Sequence, residues 1–136
     1  MRHTYYQPEI ETMPLPALRA LQAERLVRQV RHVYENVPYY RAKMEAQGVT
    51  PEDIHGLEDL HKLPFLTKAD LREAYPYGLL ATPLSDCVRI QSTSGTTGKR
   101  VVAFYTQHDI DLWEDCCARA IIAAGGTKDD VCQVCY

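Results

Sequence analysis

No apolar run in this chain of 136 residues approaches the roughly 18 that a membrane-spanning helix requires. The first thirteen residues, Met1 to Met13, have no apolar core behind a positive flank, so they do not read as an export signal. A cytoplasmic protein is therefore expected. Strong charge of either sign is missing as well, since 15 Lys+Arg face 18 Asp+Glu for a net −3. Residues 1–48 hold seven basic and five acidic groups, and residues 49–136 hold eight and thirteen. Neither half has the basic excess that marks a nucleic-acid binder. With 7 Gly and 8 Pro, no internal repeat and no low-complexity stretch, collagen-like and disordered classes are excluded. What remains, 46% apolar and 24% charged, is the composition of an ordinary globular domain, large enough to bury about two thirds of its unfolded surface.

Cysteine is odd in number. Cys87, Cys116, Cys117, Cys132 and Cys135 cannot all pair internally, and without an export signal they are expected as reduced thiols. Cys132 and Cys135 have CxxC spacing, but they lie in an apolar stretch, Val131 to Tyr136, that reads as a strand. Side chains three apart on a strand diverge, which suits neither a redox dithiol nor two ligands of one zinc. Vicinal Cys116 and Cys117 sit about 100° apart on a predicted helix, again poorly placed for shared chelation. Buried, unreactive thiols and no metal site are expected. His55 and His61 lack the i, i+4 spacing of a helical zinc site and are expected to face solvent.

Pro14-Leu15-Pro16 is expected to stop an extended start and open a helix to about Asn36, with Leu18, Leu21, Leu26, Val30, Val33 and Val37 as its apolar stripe. Arg19, Arg25, Arg28 and Arg31 could suggest a phosphate or nucleic-acid patch, but Glu24 and Glu35 interrupt them and they read as its solvated face. Pro38 opens a short helix closed by Gly48, Thr50-Pro51-Glu52-Asp53 reads as another start, and Thr67 begins a third helix that reaches about Tyr75. After Pro83 the pattern changes to strands, 87–92 and 101–105. Thr106-Gln107-His108-Asp109 is a capping box whose helix is expected to bury Ile110, Trp113, Cys117, Ile121 and Ala124 before Gly125-Gly126. A closing strand over 131–136 follows.

The segment with chemistry in it is Ser92-Thr93-Ser94-Gly95-Thr96-Thr97-Gly98-Lys99. Its glycines permit backbone N–H groups to turn inward as an anion-binding nest, its hydroxyls add donors, and Lys99 adds a mobile cation. Together these suit a polyphosphate. Walker A spacing is absent: two residues separate Gly95 from Gly98, and Arg100 rather than Ser or Thr follows Lys99. A merely flexible hairpin turn is the alternative, and eight suitable residues in succession argue against it.

Ser94-Gly95-Thr96-Thr97-Gly98-Lys99 resembles the phosphate loop of the adenylate-forming (AMP-binding) superfamily, which includes acyl-CoA ligases, luciferases and nonribosomal adenylation domains. Tyr39-Tyr40-Arg41, Leu63-Pro64-Phe65-Leu66-Thr67-Lys68-Ala69-Asp70-Leu71-Arg72 and Phe104-Tyr105-Thr106 narrow the resemblance to the phenylacetate-coenzyme A ligase family. The similarity covers essentially the whole chain, as the first third or so of such an enzyme, and Arg100 departs from the family's usual proline.

The resemblance implies an α/β fold. A mainly helical portion, 1–83, would precede a strand, phosphate loop, strand, helix and strand over 84–136, all within the N-terminal part of a large AMP-binding domain. It further implies ATP-dependent activation of an aryl acid, phenylacetate being favoured, through an acyl adenylate to its coenzyme A thioester, with ATP, Mg²⁺ and coenzyme A as co-substrates. Ser94, Gly95, Thr96, Thr97, Gly98 and Lys99 would grip the phosphates, with Ser92 and Thr93 flanking. Family members place the adenine, ribose and metal contacts and a catalytic lysine beyond residue 136. Tyr136 is either an acyl-pocket residue or a plain core tyrosine. The apolar closing segment suggests a polypeptide that continues further, so little activity is expected of these residues alone. Two alternatives stay open: adenylation of another acid or of a deazaflavin coenzyme, and a non-catalytic piece that pairs with itself. A homodimer is expected through the N-terminal helices or an open sheet edge.

Overall fold

Prolines and threonines divide the first half of the chain into helices. The computed structural model describes residues 5–93 and 100–134. Within them a short helix α1 (Pro8–Glu11) precedes α2 (Leu15–Asn36), α3 (Pro38–Ala46) and α4 (Lys68–Glu73). α1 corrects the expected extended start. Pro8 presets its first φ, and Glu11 accepts the Gln7 backbone N–H at 2.7 Å.

α2 and α3 each carry proline in their first turn, where the missing N–H costs nothing. α3 stops where Gly48 takes φ +68°, which turns its N–H to the Glu45 carbonyl (2.9 Å) and that of Val49 to Met44 (3.0 Å). That turn folds the chain back under α2. Val30 of α2, Met44 of α3 and Ile54, which follows a 3₁₀ turn at Pro51–Asp53, form the buried core, with Leu26, Tyr34, Tyr40, Val49 and Leu63 against it. The expected stripe on α2 is therefore real: Val30 and Val37 are buried, and Leu18, Leu21, Leu26 and Val33 are half-buried. Arg19, Arg25, Arg28 and Arg31 are exposed as expected, Arg31 lying 3.3 Å from Glu52.

The second half is built on a hairpin. β1 (Cys87–Ser92) pairs antiparallel with β2 (Val102–Thr106), with Arg89 opposite Tyr105, Gln91 opposite Ala103 and Ser92 opposite Val102. Val88 is the extra residue of a bulge between the Cys87–Thr106 and Arg89–Tyr105 pairs. Helix α5 (Gln107–Ala123) starts at the expected capping box, where Asp109 Oδ2 accepts from both the backbone N–H and the hydroxyl of Thr106 at 2.8 Å. Its end is also as expected, with Gly125 at φ +95° donating to the Ile122 carbonyl.

Three expectations are corrected here. Of the residues assigned to the buried face of α5, only Ile110 is buried, while Trp113 stacks on Tyr105 at 5.5 Å and Ile121 is exposed. The closing strand is absent over 131–134, and the described sheet has two strands, with Val131 98% exposed. The thiols are not buried: Cys116, Cys117 and Cys132 are exposed and Cys87 is half-buried, while Cys135 lies outside the described residues. One cause underlies all three. An apolar face is buried only where a second layer covers it, and the short hairpin meets α5 in its first half, where Ile110 is buried and Trp113 stacks on Tyr105. The accessible surface, 10304 Å², correspondingly exceeds the about 7,200 Å² of a compact monomer of this mass.

Candidate functional site

The hairpin brings together the residues that flank the Ser/Thr/Gly segment on either side, Thr93 and Val101. Ser92, exposed, closes β1 opposite Val102. Beyond it Thr93 makes two bonds to Val101: its backbone N–H donates to the Val101 carbonyl (3.0 Å), and its Oγ1 accepts the Val101 N–H (3.1 Å). This clasp uses the Thr93 side chain to tie the end of β1 to Val101, just ahead of β2. Ser94, Gly95, Thr96, Thr97, Gly98, Lys99 and Tyr136 themselves lie outside the described residues. Beside the clasp, Gln91, Thr93, Val101, Ala103 and Tyr105, with Ser92, line an open cleft of about 350 Å³. The Tyr105–Trp113 stack anchors this same sheet face to α5.

Among the described residues no three His, Cys, Asp or Glu side chains gather where a metal ion could sit. Residues 87–108 contain no acid at all, so the hairpin offers a hard cation none of the carboxylates it prefers. His55 and His61 are exposed as expected, the first beside Asp59 and the second donating from Nδ1 to the Glu58 carbonyl (2.7 Å). No helix among the described residues is long and apolar enough to cross a membrane.

The other two motifs singled out in the sequence meet each other. Tyr39 donates its hydroxyl to Asp70 (2.9 Å) and to Glu73 (3.1 Å), and Tyr40 donates to the Pro64 carbonyl (3.0 Å). Arg41 turns the other way and donates to the carbonyls of Tyr34 (2.7 Å) and Glu35 (2.6 Å), which α2 leaves without helical partners at its C-terminus. Asp70 is the hub: one oxygen takes Tyr39 and the Lys43 ammonium, and the other caps α4 through the Thr67 N–H and hydroxyl. Sequence reasoning found the Thr67 cap and missed Lys43 and Tyr39, for which the available signal was an unexplained tyrosine and lysine on one face of α3. These contacts tie α3 to α4 and to the segment ahead of it.

The electrostatics follow from these contacts. The Lys43 ammonium, then the Thr67 donors, hold the Asp70 carboxyl far below its ordinary range. Lys62 and the His55 backbone hold Asp59 at about 2, and the Thr50 cap lowers Asp53. Tyr39, donating to Asp70, is pushed up to about 12. Because the three carboxylates are lowered in the folded chain, the stability they contribute is present above the unfolded value of 3.8 and is lost as pH falls toward and through their lowered values. The melting temperature should therefore drop between about pH 5 and pH 2. Asp70→Asn should flatten that fall, and a slope unchanged by the substitution would remove Asp70 from the acid response.

No family model matches the chain. Its sequence is 50% identical over 120 residues to a phenylacetate-coenzyme A ligase of Thermus thermophilus, covering 88% of this chain and 27% of that protein. It is 50% identical over 127 residues to the phenylacetate-coenzyme A ligase of Escherichia coli, covering 93% and 29%. The chain thus spans less than a third of the length of the curated relatives it matches. In structure it is similar to a 2-hydroxyisobutyryl-CoA ligase in complex with 2-HIB-AMP and CoA in the thioesterification state. The TM-score is 0.79 at 31% identity, over 87% of this chain and 26% of that one. The same ligase in its postadenylation state gives 0.79 at 28% identity, over 89% and 26%. The mixed helical and two-stranded arrangement is the fold of the corresponding quarter of these ligases.

Proposed function

The chain is homologous to the phenylacetate-coenzyme A ligases, and from that premise we propose that it supplies the phosphate-gripping portion of an AMP-forming acyl-CoA ligase acting on phenylacetate in the cytoplasm. In the first step a carboxylate oxygen bonds the α-phosphorus of ATP while the bond to the β-phosphate oxygen breaks, giving acyl adenylate and pyrophosphate. In the second, the coenzyme A thiolate bonds the acyl carbon and AMP leaves. The nest at Gly95 and Gly98, the hydroxyls of Ser94, Thr96 and Thr97, and the Lys99 ammonium hold the β- and γ-phosphates and meet the charge that develops on departing pyrophosphate. Mg²⁺ arrives on ATP as part of the substrate and screens its phosphates. Tyr136 is assigned to the acyl pocket.

The identity of 50% over 120 residues, with the Ser94–Lys99 sequence inside the matched region, carries this reading. A chimera tests it: this chain replaces the segment it matches in the Escherichia coli enzyme. Phenylacetate-dependent exchange of pyrophosphate into ATP, followed by thioester formation, is the expected result. A folded chimera without exchange overturns the proposal. The chain alone should show neither reaction.

A second reading, self-association into a homodimer, is favoured by exposed apolar groups such as Phe65 (90%), Ile90 (60%) and Val134 (69%). Sedimentation of the chain should show a dimer at micromolar concentration, and a monomer throughout would end this reading.

A further inference from the structure

The stripe of α5 that meets the hairpin runs Ile110, Trp113, Glu114, Cys117, which are the i, i+3, i+4 and i+7 positions of one helix face. Facing it, Arg89 and Gln91 share one side of β1. These residues line a cleft of about 220 Å³, smaller than the one beside Thr93, with which it shares Gln91. Its apolar wall is held in place, since Ile110 is buried and the Trp113 ring is stacked on Tyr105 at 5.5 Å. Its charges are the anomaly. Arg89 comes from the strand and Glu114 from the helix, yet they form no ion pair with each other. Neither has a hydrogen-bond or ion-pair partner among the described residues.

We propose that this cleft binds a small zwitterion, an α-amino acid with a short apolar side chain such as valine. A cation and an anion that flank a gap without closing it match a carboxylate and an ammonium carried on one carbon. Arg89 takes the carboxylate through its planar fork of N–H donors, Glu114 accepts from the ammonium, and Gln91 adds an amide. The ligand's side chain lies against Trp113 and Ile110, which removes apolar surface from water. Size favours a short side chain, because the cleft falls below the about 300–1,000 Å³ of pockets for drug-sized ligands.

Trp113 is the only tryptophan of the chain, so its fluorescence reads this cleft. The full chain is titrated at constant ionic strength with L-valine, with isovalerate, which lacks the ammonium, and with isobutylamine, which lacks the carboxylate. Valine should change the emission saturably, with a dissociation constant on the order of 10 mM, the usual efficiency for a ligand of about eight heavy atoms. Each single-charge analogue should bind about three- to fivefold more weakly, the effect of one exposed charge pair. Arg89→Gln should weaken valine and leave isobutylamine unchanged, whereas Glu114→Gln should weaken valine and leave isovalerate unchanged. Arg89→Lys should keep most of the affinity. Circular dichroism reports the fold of each variant, and amide NMR shifts serve the same comparison if a substitution alters the Trp113 emission itself. No saturable change with valine up to about 100 mM, ten times the expected constant, overturns the proposal. So does equal binding of the three probes, or a loss on Arg89→Gln that is the same for valine and isobutylamine.

Discussion

Lys99→Ala in the chimeric ligase is expected to slow phenylacetate-dependent pyrophosphate exchange by about 10- to 150-fold. That range is the kinetic equivalent of roughly 1.5–3 kcal/mol, the worth of one hydrogen bond to a charged group. The loss falls on the first step for a specific reason. Negative charge gathers on pyrophosphate as it departs, and a cation held against the β- and γ-phosphates is needed most at that moment. By the second step pyrophosphate has gone, so thioester formation from supplied phenylacetyl adenylate should change far less. Measuring the two half-reactions separately decides the role. Equal losses in both would make Lys99 a structural residue and withdraw it from the phosphate site.

How much of this was legible in the sequence depends on how local each feature is. The starts at Thr67 and Thr106 were readable because a capping box closes within four residues. The stop at Gly48 was readable because a left-handed turn needs glycine. The hairpin was readable from alternation on both sides of a Ser/Thr/Gly run, and its observed strands differ from those expected by one residue at each end of β2. Burial was not readable from the same patterns. Trp113, Ile121 and the cysteines of α5 have helical periodicity, but periodicity says which side is apolar and leaves open whether another layer lies against it. The closing strand failed for the related reason that a strand needs a neighbour to bond, and the sheet among the described residues pairs only β1 with β2. The Tyr39–Asp70 contact joins residues 31 apart, a pairing that no local rule proposes. For the candidate site, residue types carried the chemistry, and the structure added the Thr93–Val101 clasp.

Met44→Ala should be the most damaging single substitution to stability. Met44 is fully buried between Val30 and Ile54, and it also receives the Val49 N–H at its carbonyl, so it sits at the point where α3 turns back beneath α2. Removing its side chain takes away apolar area and leaves a cavity that two helices joined by short turns cannot easily close. Such changes cost about 2–5 kcal/mol, which in a domain of this size is roughly 10 °C or more in melting temperature. A contrasting variant locates the core. Ile121→Ala on α5 removes a side chain that is 55% exposed, and a surface change of that kind should stay within about 0.5 kcal/mol. Thermal melting by circular dichroism compares the two directly. If Ile121→Ala destabilised the chain as much as Met44→Ala, α5 would be packed against a layer in solution, and the stable core would extend beyond the helical portion in which Val30, Met44 and Ile54 place it.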